Sequence, residues 1–517
     1  MMPNPETHVF ELPWNVRSDK ILAGLSDIYT TTADAPPARR ERVLYFDTFD
    51  WRLFNRGLAL VQSGAAYELR DTDNTSALDS CTVHETPSFW WEFPKGGLQK
   101  RLHGVLKERA VVVVGEVALR SRNVRVLNTD RKTVARVSIQ TGEAFNKGRA
   151  AARIRLLTVI PLRGYAKEAR QLARDLSVTG LRPAKKSIFA MAVAACGREP
   201  GDYTSKLAVE LDRTMSARQA AAVIFGHLLD TMERNVDGIR KDTDTEFLHD
   251  FRVAIRRTRS GLSQLKKALP GSVTKRFSRD FADLGRGTNR LRDLDVYLLS
   301  RGHYEAMLNE DLRPGLDPLF ANLAEERRTH HESLVRLVDG REYLTLVREW
   351  RRTLRDLDAS GPDGEGKDTP VENLARTVIG KRFERVLRRG RIIERTTPDE
   401  ALHTLRIDCK KLRYMLEFFA SLYPAREIAD FIKQLKRLQD NLGDFNDLSF
   451  QQIELNSFLK GMRKGTRLTT AAAVGALIAK LEYRQRDVRG QFAATFDAFA
   501  AAENRRRFKR LFKHRQK

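Results

Sequence analysis

Two eleven-residue segments, HDFRVAIRRTR at 249–259 and HTLRIDCKKLR at 403–413, carry the same residue types at the same spacing. Wound at about 100° per residue, His249, Arg252, Arg256 and Arg259 fall within about 80° of one another. Phe251, Ile255 and Leu262 fall on the neighbouring face. The second segment repeats this with His403, Arg406, Lys410 and Arg413 as the stripe and Leu405, Cys409 and Leu416 as the apolar face, which places Cys409 in a core. Arg257 and Lys411 flank the two stripes. Each stripe is ~15 Å long at ~1.5 Å per residue.

Like charges stacked three and four residues apart cost helix stability. An anion with many evenly spaced charges offsets that cost, and the planar fork of arginine matches phosphate oxygens. One alternative is a solvated basic face. Another pairs the arginines with Asp293, Asp295, Asp444 and Asp447, which recur with the segments. The duplication of the stripe favours a polyanion site. The residues do not suggest covalent chemistry. His249-Asp250 is an HD dipeptide, but adjacent helical residues diverge by about 100° and the second copy has Thr404 in place of the acid. His330-His331 reads as solvated, and the chain shows no P-loop and no G-x-S-x-G.

The elements that position these stripes are duplicated as well. LRDLDV at 291–296 matches LGDFND at 442–447, so two motif pairs recur at offsets of 154 and about 151. Apolar residues at three and four spacings predict helices over 214–241, 245–269, 274–300, 317–338, 341–358, 371–395, 399–422, 425–460 and 466–502. The stretch ASGPDGEGKDTP at 359–370 separates two halves, 210–358 and 371–500, of a helical domain over 205–503. Residues 1–200 read as a separate α/β region. Strands are expected at 42–47, 58–63, 110–121, 124–129 and 133–139, separated by turn residues such as SGAA, KGG and TGE, with a helix at 165–178. Antiparallel strands with few helices suggest a barrel or curved sheet. Residues 504–517, NRRRFKRLFKHRQK, form a basic tail that suits a membrane or granule surface, a further polyanion contact, or plain solvation.

Composition agrees with a polyanion partner. The chain has 517 residues, 92 Lys and Arg against 67 Asp and Glu, and a net charge of +25. Basic and acidic residues are interspersed within the periodic segments, which fits folded, patterned surfaces rather than one disordered block. Cys81, Cys196 and Cys409 match no metal spacing. The expectation is a soluble, cytoplasmic protein with no signal peptide, no transmembrane segment, no cofactor and no metal.

HDFRVAIRRTR with LRDLDVYL, followed by LHTLRIDCKKLRYMLEFF with LKRLQDNLGDFNDL, resembles the CHAD family, the conserved histidine α-helical domain. The resemblance covers roughly 210–500. It implies two pseudo-symmetric four-helix bundles facing each other around a basic cavity, binding of inorganic polyphosphate, and association with polyphosphate or storage granules in bacteria. Residues carried over are His249, Arg252, Arg256, Arg257, Arg259, His403, Arg406, Lys410, Lys411 and Arg413, with Arg286, Arg290, Lys433, Lys436 and Arg437 on the following helices. The N-terminal region is similar to the CYTH family of triphosphate-processing β-tunnels, best over YFDTFDWRLFNRGLAL at 45–60. The E-x-E-x-K opening strand of that family reads ETHVFEL here, with His8 and Phe10 at the later positions. Val61-Gln62-Ser63 replaces the arginine pair after GLAL, and 153–165 lacks carboxylates. Triphosphate hydrolysis needs a divalent metal.

The expected fold class is therefore α+β multidomain: a degenerate, non-catalytic CYTH-like antiparallel β-tunnel or barrel with helices, then an all-α CHAD domain. Glu68, Glu92 and Glu116 are the alternative metal set. The competing functions are a CYTH-type triphosphatase and sequence-blind nucleic-acid binding.

Overall fold

Val-rich alternation in the first two hundred residues becomes an antiparallel sheet, and the three-and-four periodicity after them becomes helices. The computed structural model describes residues 7–33, 40–72, 77–359, 369–462 and 468–512. The chain divides into two units, Met1–Ser205 and Lys206–Lys517. Most of the 359–370 separator, the end of the basic tail (513–517) and Glu6 lie outside the described residues.

In the first unit the strands are β1 (His8–Glu11), β2 (Thr30–Ala33), β3 (Glu41–Asp47), β4 (Leu58–Ser63), β5 (Ala66–Asp71), β6 (Ala77–Thr82), β7 (Val112–Leu127), β8 (Thr133–Asn146), β9 (Arg149–Pro161) and β10 (Arg182–Pro183). Among the described residues they form a 10-stranded sheet in the order β10-β1-β9-β8-β7-β3-β4-β5-β6, with β2 also paired to β7. Among the described residues its end strands, β10 and β6, do not pair with each other, so the hydrogen-bond ladder does not close into a barrel. The helices are α1 (Ser18–Ile28), α2 (Gly97–Leu106), α3 (Ala166–Val178) and α4 (Ile188–Ala195). In β9, Leu157 and Val159 join a cluster with Leu172 of α3, whereas Ile154 and Leu156 join one with Phe189 of α4. Both faces of β9 are covered over its second half, which is why 156–161, LLTVIP, is apolar at all but Thr158 rather than alternating.

Two expectations change here. The strands expected at 110–121 and 124–129 are one strand, β7, and the TGE expected as a turn lies inside β8. Gly142 is needed there for close approach, since a Cβ would stand 1.9 Å from the Ala118 carbonyl oxygen. The segment after β3 is organised by Asp47, whose carboxylate accepts from the backbone N–H groups of Thr48 (2.7 Å), Leu53 (2.9 Å) and Phe54 (2.9 Å). Burial pushes that carboxyl up to about 7 against those three donors. Trp51 follows, fully buried, with its indole N–H on Asp202 at 2.7 Å.

The second unit contains α5 (Ala217–Arg240), α6 (Thr245–Gln264), α7 (Gly271–Gly287), α8 (Asn289–Leu299), α9 (Arg301–Met307), α10 (Asp317–Asp339), α11 (Arg341–Ala359), α12 (Val371–Gly390), α13 (Asp399–Phe418), α14 (Ala425–Gly461), α15 (Leu468–Gly490), α16 (Phe492–Ala500) and α17 (Ala502–Phe512). The repeat is visible in these boundaries. The starts of α5 and α12, of α6 and α13, and of α7 and α14 are each 154 residues apart, and α6 and α13 also end 154 apart. The starts of α10 and α15, and of α11 and α16, are 151 apart. The helix expected over 274–300 is broken at Thr288, between α7 and α8, where its counterpart α14 runs unbroken.

The halves share an interior. Phe225 and Phe418, one from each repeat, both crowd Gly261 of α6, where a Cβ would stand 2.6 Å and 3.3 Å from their rings. The Tyr297 hydroxyl donates to the Phe450 carbonyl at 3.2 Å. Cys409 is fully buried, as its place on the apolar face of α13 requires, and burial pushes its thiol up.

The basic tail is another correction. Its residues up to Phe512 form α17, with Phe508 stacked on Phe383 at 3.7 Å and Phe512 against Tyr423 at 4.7 Å. The apolar side that a membrane surface would take is occupied by the protein itself. His331 is not simply solvated either: its Nε2 bonds the Ile239 carbonyl at 2.7 Å.

Candidate functional site

The stripes sit on α6 and α13, and both helices have a local reason to form. Asp244 caps α6 by accepting from the N–H groups of Glu246 (2.9 Å) and Phe247 (3.2 Å). On α13, Asp399 and Glu400 in the first turn complement the helix dipole. Each helix buries its apolar face, including Phe251, Ile255 and Leu262 on one and Leu405, Cys409 and Leu416 on the other. The stripes are carried on the adjoining faces.

Four of the cations share one neighbourhood. Lys410 is half-buried and is pushed down to about 7, by burial first, then by Arg406 on its own helix and Arg256 and Arg252 on the other, with Asp447 opposing. Arg252 is held down to about 10 by burial and by Arg256, with Asp293 opposing. Its Nη1 donates to Thr288 Oγ1 at 2.6 Å and Asn289 Oδ1 at 2.9 Å, at the break between α7 and α8. Arg256 forms no ion pair among the described residues, and its Nε is buried without a hydrogen-bond partner there. Arg406 meets Asp447 at 3.2 Å, and its Nε is also buried without a partner. The arrangement places more positive charge in a partly dehydrated space than its carboxylates balance.

The histidines stand in the second turns of the two helices, each five residues in. His403 Nδ1 bonds Asn446 Oδ1 at 2.5 Å, which leaves the proton on Nδ1 if the amide oxygen is the acceptor. His249 is half-buried at the equivalent place on α6.

Other expected residues are placed differently. Arg257 and Arg413 both bond Glu417 at 2.7 Å, so these two cations tie the repeats together through one carboxylate. Arg290 is forked between Glu326 (2.5 and 2.6 Å) and Glu454 (2.7 Å), which raises its proton affinity further. Arg286 pairs with Asp283 on the surface. Arg259 is exposed against Gly285. Lys433, Lys436 and Arg437 lie exposed along α14, and no contact brings them to the stripes among the described residues. Of the four aspartates, Asp447 reaches a stripe arginine directly, Asp293 lies within electrostatic range of Arg252, Asp295 is held by Arg327 at 2.7 Å, and Asp444 pairs with none of the stripe.

Sequence reading missed the arginines of α12. Arg382, Arg385 and Arg389 fall on one helix face, a spacing that was readable, and Asp408 of α13 accepts from Arg382 at 3.2 Å and from Arg389. Lys411 is held below the ordinary lysine range by burial and then by Arg382, with Asp408 opposing and Arg385 and Arg389 adding to the repulsion.

In the first unit, Glu68, Glu92 and Glu116 do not gather. Glu68 pairs with Arg70 at 2.5 Å, Glu116 with Arg42 at 2.7 Å, and Glu92 accepts from the backbone N–H groups of Ser88 and Phe89. Among the described residues no three carboxylate, histidine or cysteine side chains cluster as metal ligands. No described helix is long and apolar enough to cross a membrane.

Comparison with known proteins places these helices. The family model described as the CHAD domain matches residues 223–456, so the chain carries a CHAD domain there. Among solved structures, the CHAD domain from the plant Ricinus communis is 23% identical, with a TM-score of 0.49, covering 57% of this chain and 96% of that one. PptA from Streptomyces chartreusis is 14% identical, with a TM-score of 0.41, covering 55% of this chain and 99% of that one. No curated protein matches.

Proposed function

We propose that this protein binds inorganic polyphosphate through the facing basic stripes of α6 and α13, within a CHAD domain read as two four-helix bundles related by a pseudo-twofold axis. The observation that carries the reading is Lys410 beside Arg256. The same position of two repeats brings like charge against like charge, and the nearest carboxylates do not neutralise the set. A ligand with closely and evenly spaced negative charges would remove that repulsion among Arg252, Arg256, Arg406 and Lys410. Arginine forks then take phosphate oxygens in bidentate fashion. His403, held by Asn446, and His249 stand at the stripe ends as hydrogen-bonding groups.

The first unit is read as a CYTH-like sheet that has lost its acidic metal ligands and does not catalyse. The dispersal of Glu68, Glu92 and Glu116 into separate bonds supports this. Release of phosphate from tripolyphosphate that depends on magnesium or manganese would overturn it. Residence at polyphosphate or storage granules in the cytoplasm follows from the proposed ligand and is tested by imaging a fluorescent fusion in polyphosphate-rich cells.

The deciding experiment is a titration of the full chain with polyphosphate of defined length, in competition with heparin and duplex DNA at physiological salt. The expected result is tighter binding to polyphosphate at equal charge. Equal affinity for all three would reduce the site to a general basic surface.

A further inference from the structure

The two repeats are not charge-equivalent beside the stripes. Arg257 on α6 and Lys411 on α13 hold the same repeat position, 154 residues apart. Arg257 pairs with Glu417 at 2.7 Å, a carboxylate it shares with Arg413. The residue equivalent to Glu417 in the first repeat is Ser263, so Lys411 has no matching carboxylate. The change goes further on the helix that precedes each stripe. Leu228, Thr231 and Asn235 of α5 correspond to Arg382, Arg385 and Arg389 of α12, and Ala254 corresponds to Asp408.

The second repeat has therefore gathered four cations around one carboxylate. Asp408, only 2% exposed, takes Arg382 and Arg389. Gln264 Oε1 accepts from Arg382 Nε at 2.6 Å and fixes the plane of that guanidinium. Arg385 and Lys411 are half-buried and have no carboxylate partner among the described residues. Lys411 lies close enough to all three arginines for each to repel its proton. One aspartate leaves this half-buried set strongly positive, and water alone solvates such a set poorly. A tetrahedral oxyanion with more than one charge satisfies several of these donors together.

We infer that Arg382, Arg385, Arg389 and Lys411 form a second anion subsite, beside the stripes on the α12–α13 face, that takes a phosphate group. The group is either part of a bound phosphate chain or a separate short phosphate; the chemistry is shared. The inference rests on the polyphosphate reading for the source of the ligand, and on the α12–α13 charges alone for its anion chemistry. Lys411 follows Lys410 in the chain and points about 100° away from it around α13, so the subsite adjoins the stripe without being part of it.

The test uses the full chain with tripolyphosphate and with long-chain polyphosphate as probes, followed by calorimetry. The variants are Arg385→Gln with Lys411→Gln, and separately Arg256→Gln with Arg406→Gln. The first pair is expected to weaken tripolyphosphate at least about tenfold, and the stripe pair to weaken the long chain more than it weakens tripolyphosphate. Loss confined to the long chain would assign the subsite to part of that chain. Arg385→Lys with wild-type Lys411 should restore most of the binding, which a folding defect would not allow. Unchanged affinity for both probes in the first pair overturns the inference and leaves the stripe reading standing. Tripolyphosphate binding without long-chain binding in the wild type would do the reverse.

Discussion

Arg256 on α6 and Lys410 on α13 occupy the same position of the two repeats, and the positive charge of the first helps to drive the proton from the second. Repetition of a basic residue near a point where repeats meet cannot be answered by a complementary partner at that position. In the proposed reading the ligand supplies the negative charge.

Binding should depend on pH through Lys410. Free, its ammonium titrates at about 7, and a bound polyanion raises its proton affinity. Complex formation then takes up a proton above that value, so affinity falls as pH rises from about 7. Lys410→Arg should flatten the profile. Calorimetry in buffers of different ionisation enthalpy measures the uptake, and identical profiles for both proteins would count against it. Without ligand the sign for stability is opposite. The unfolded lysine, at its ordinary 10.5, binds more protons than the folded one between about 7 and 10.5, so helical-unit stability rises with pH across that window.

Charge reversal at both stripes should abolish tight binding. Arg252→Glu with Arg406→Glu removes one guanidinium from each repeat and is expected to weaken long-chain polyphosphate by roughly a hundredfold or more. The far-ultraviolet circular dichroism should stay native. Wild-type affinity in this folded double variant would end the stripe model.

Glu417→Ala should destabilise the helical unit rather than its ligand affinity alone. It strands Arg257 and Arg413, and the Arg257 side chain is only 10% exposed. The expected cost is about 3 kcal/mol, read as a lower urea midpoint at constant slope. A midpoint shift within error would show that Glu417 is dispensable to the joint between repeats.

In the sheet unit, Asp47→Ala removes the acceptor of three backbone N–H groups. A loss of about 3 kcal/mol is expected, with collapse of the near-ultraviolet signal from the adjoining buried Trp51. Asp47→Asn should recover part of it, since its carbonyl oxygen still accepts.

Much of this arrangement was legible in the sequence for a definite reason. Apolar spacing fixed where α6, α13 and α14 run, because each must bury one face, and the doubled motif fixed which basic residues correspond. What the sequence could not show depends on pairs distant along the chain. Glu417 looks like any exposed helical acid until Arg257, 160 residues earlier, is found on it. The arginines of α12 read as surface charge until α13 places Lys411 and Asp408 among them. The polar Arg122-Asn123 pair within β7 resembled a break because what carries the strand through it, pairing with Ile139 and Ser138 of β8, lies further along the chain. The tail looked free because the aromatic rings that hold it, Phe383 and Tyr423, lie far upstream.

The interruption at Thr288 has one more meaning. The repeat spacing drops from 154 to 151 between the start of α7 and the LRDLDV motif, so the first repeat carries three residues more than the second in that stretch. Three residues inserted into an unbroken helix turn everything downstream by about 300°, equivalent to about 60° in the other sense. Such a helix would swing Arg290, Asp293 and Asp295 out of phase with their counterparts on α14. Ending one helix at Gly287 and starting another at Asn289 lets the angular phase be reset, and Arg252 clasps the joint where the reset occurs.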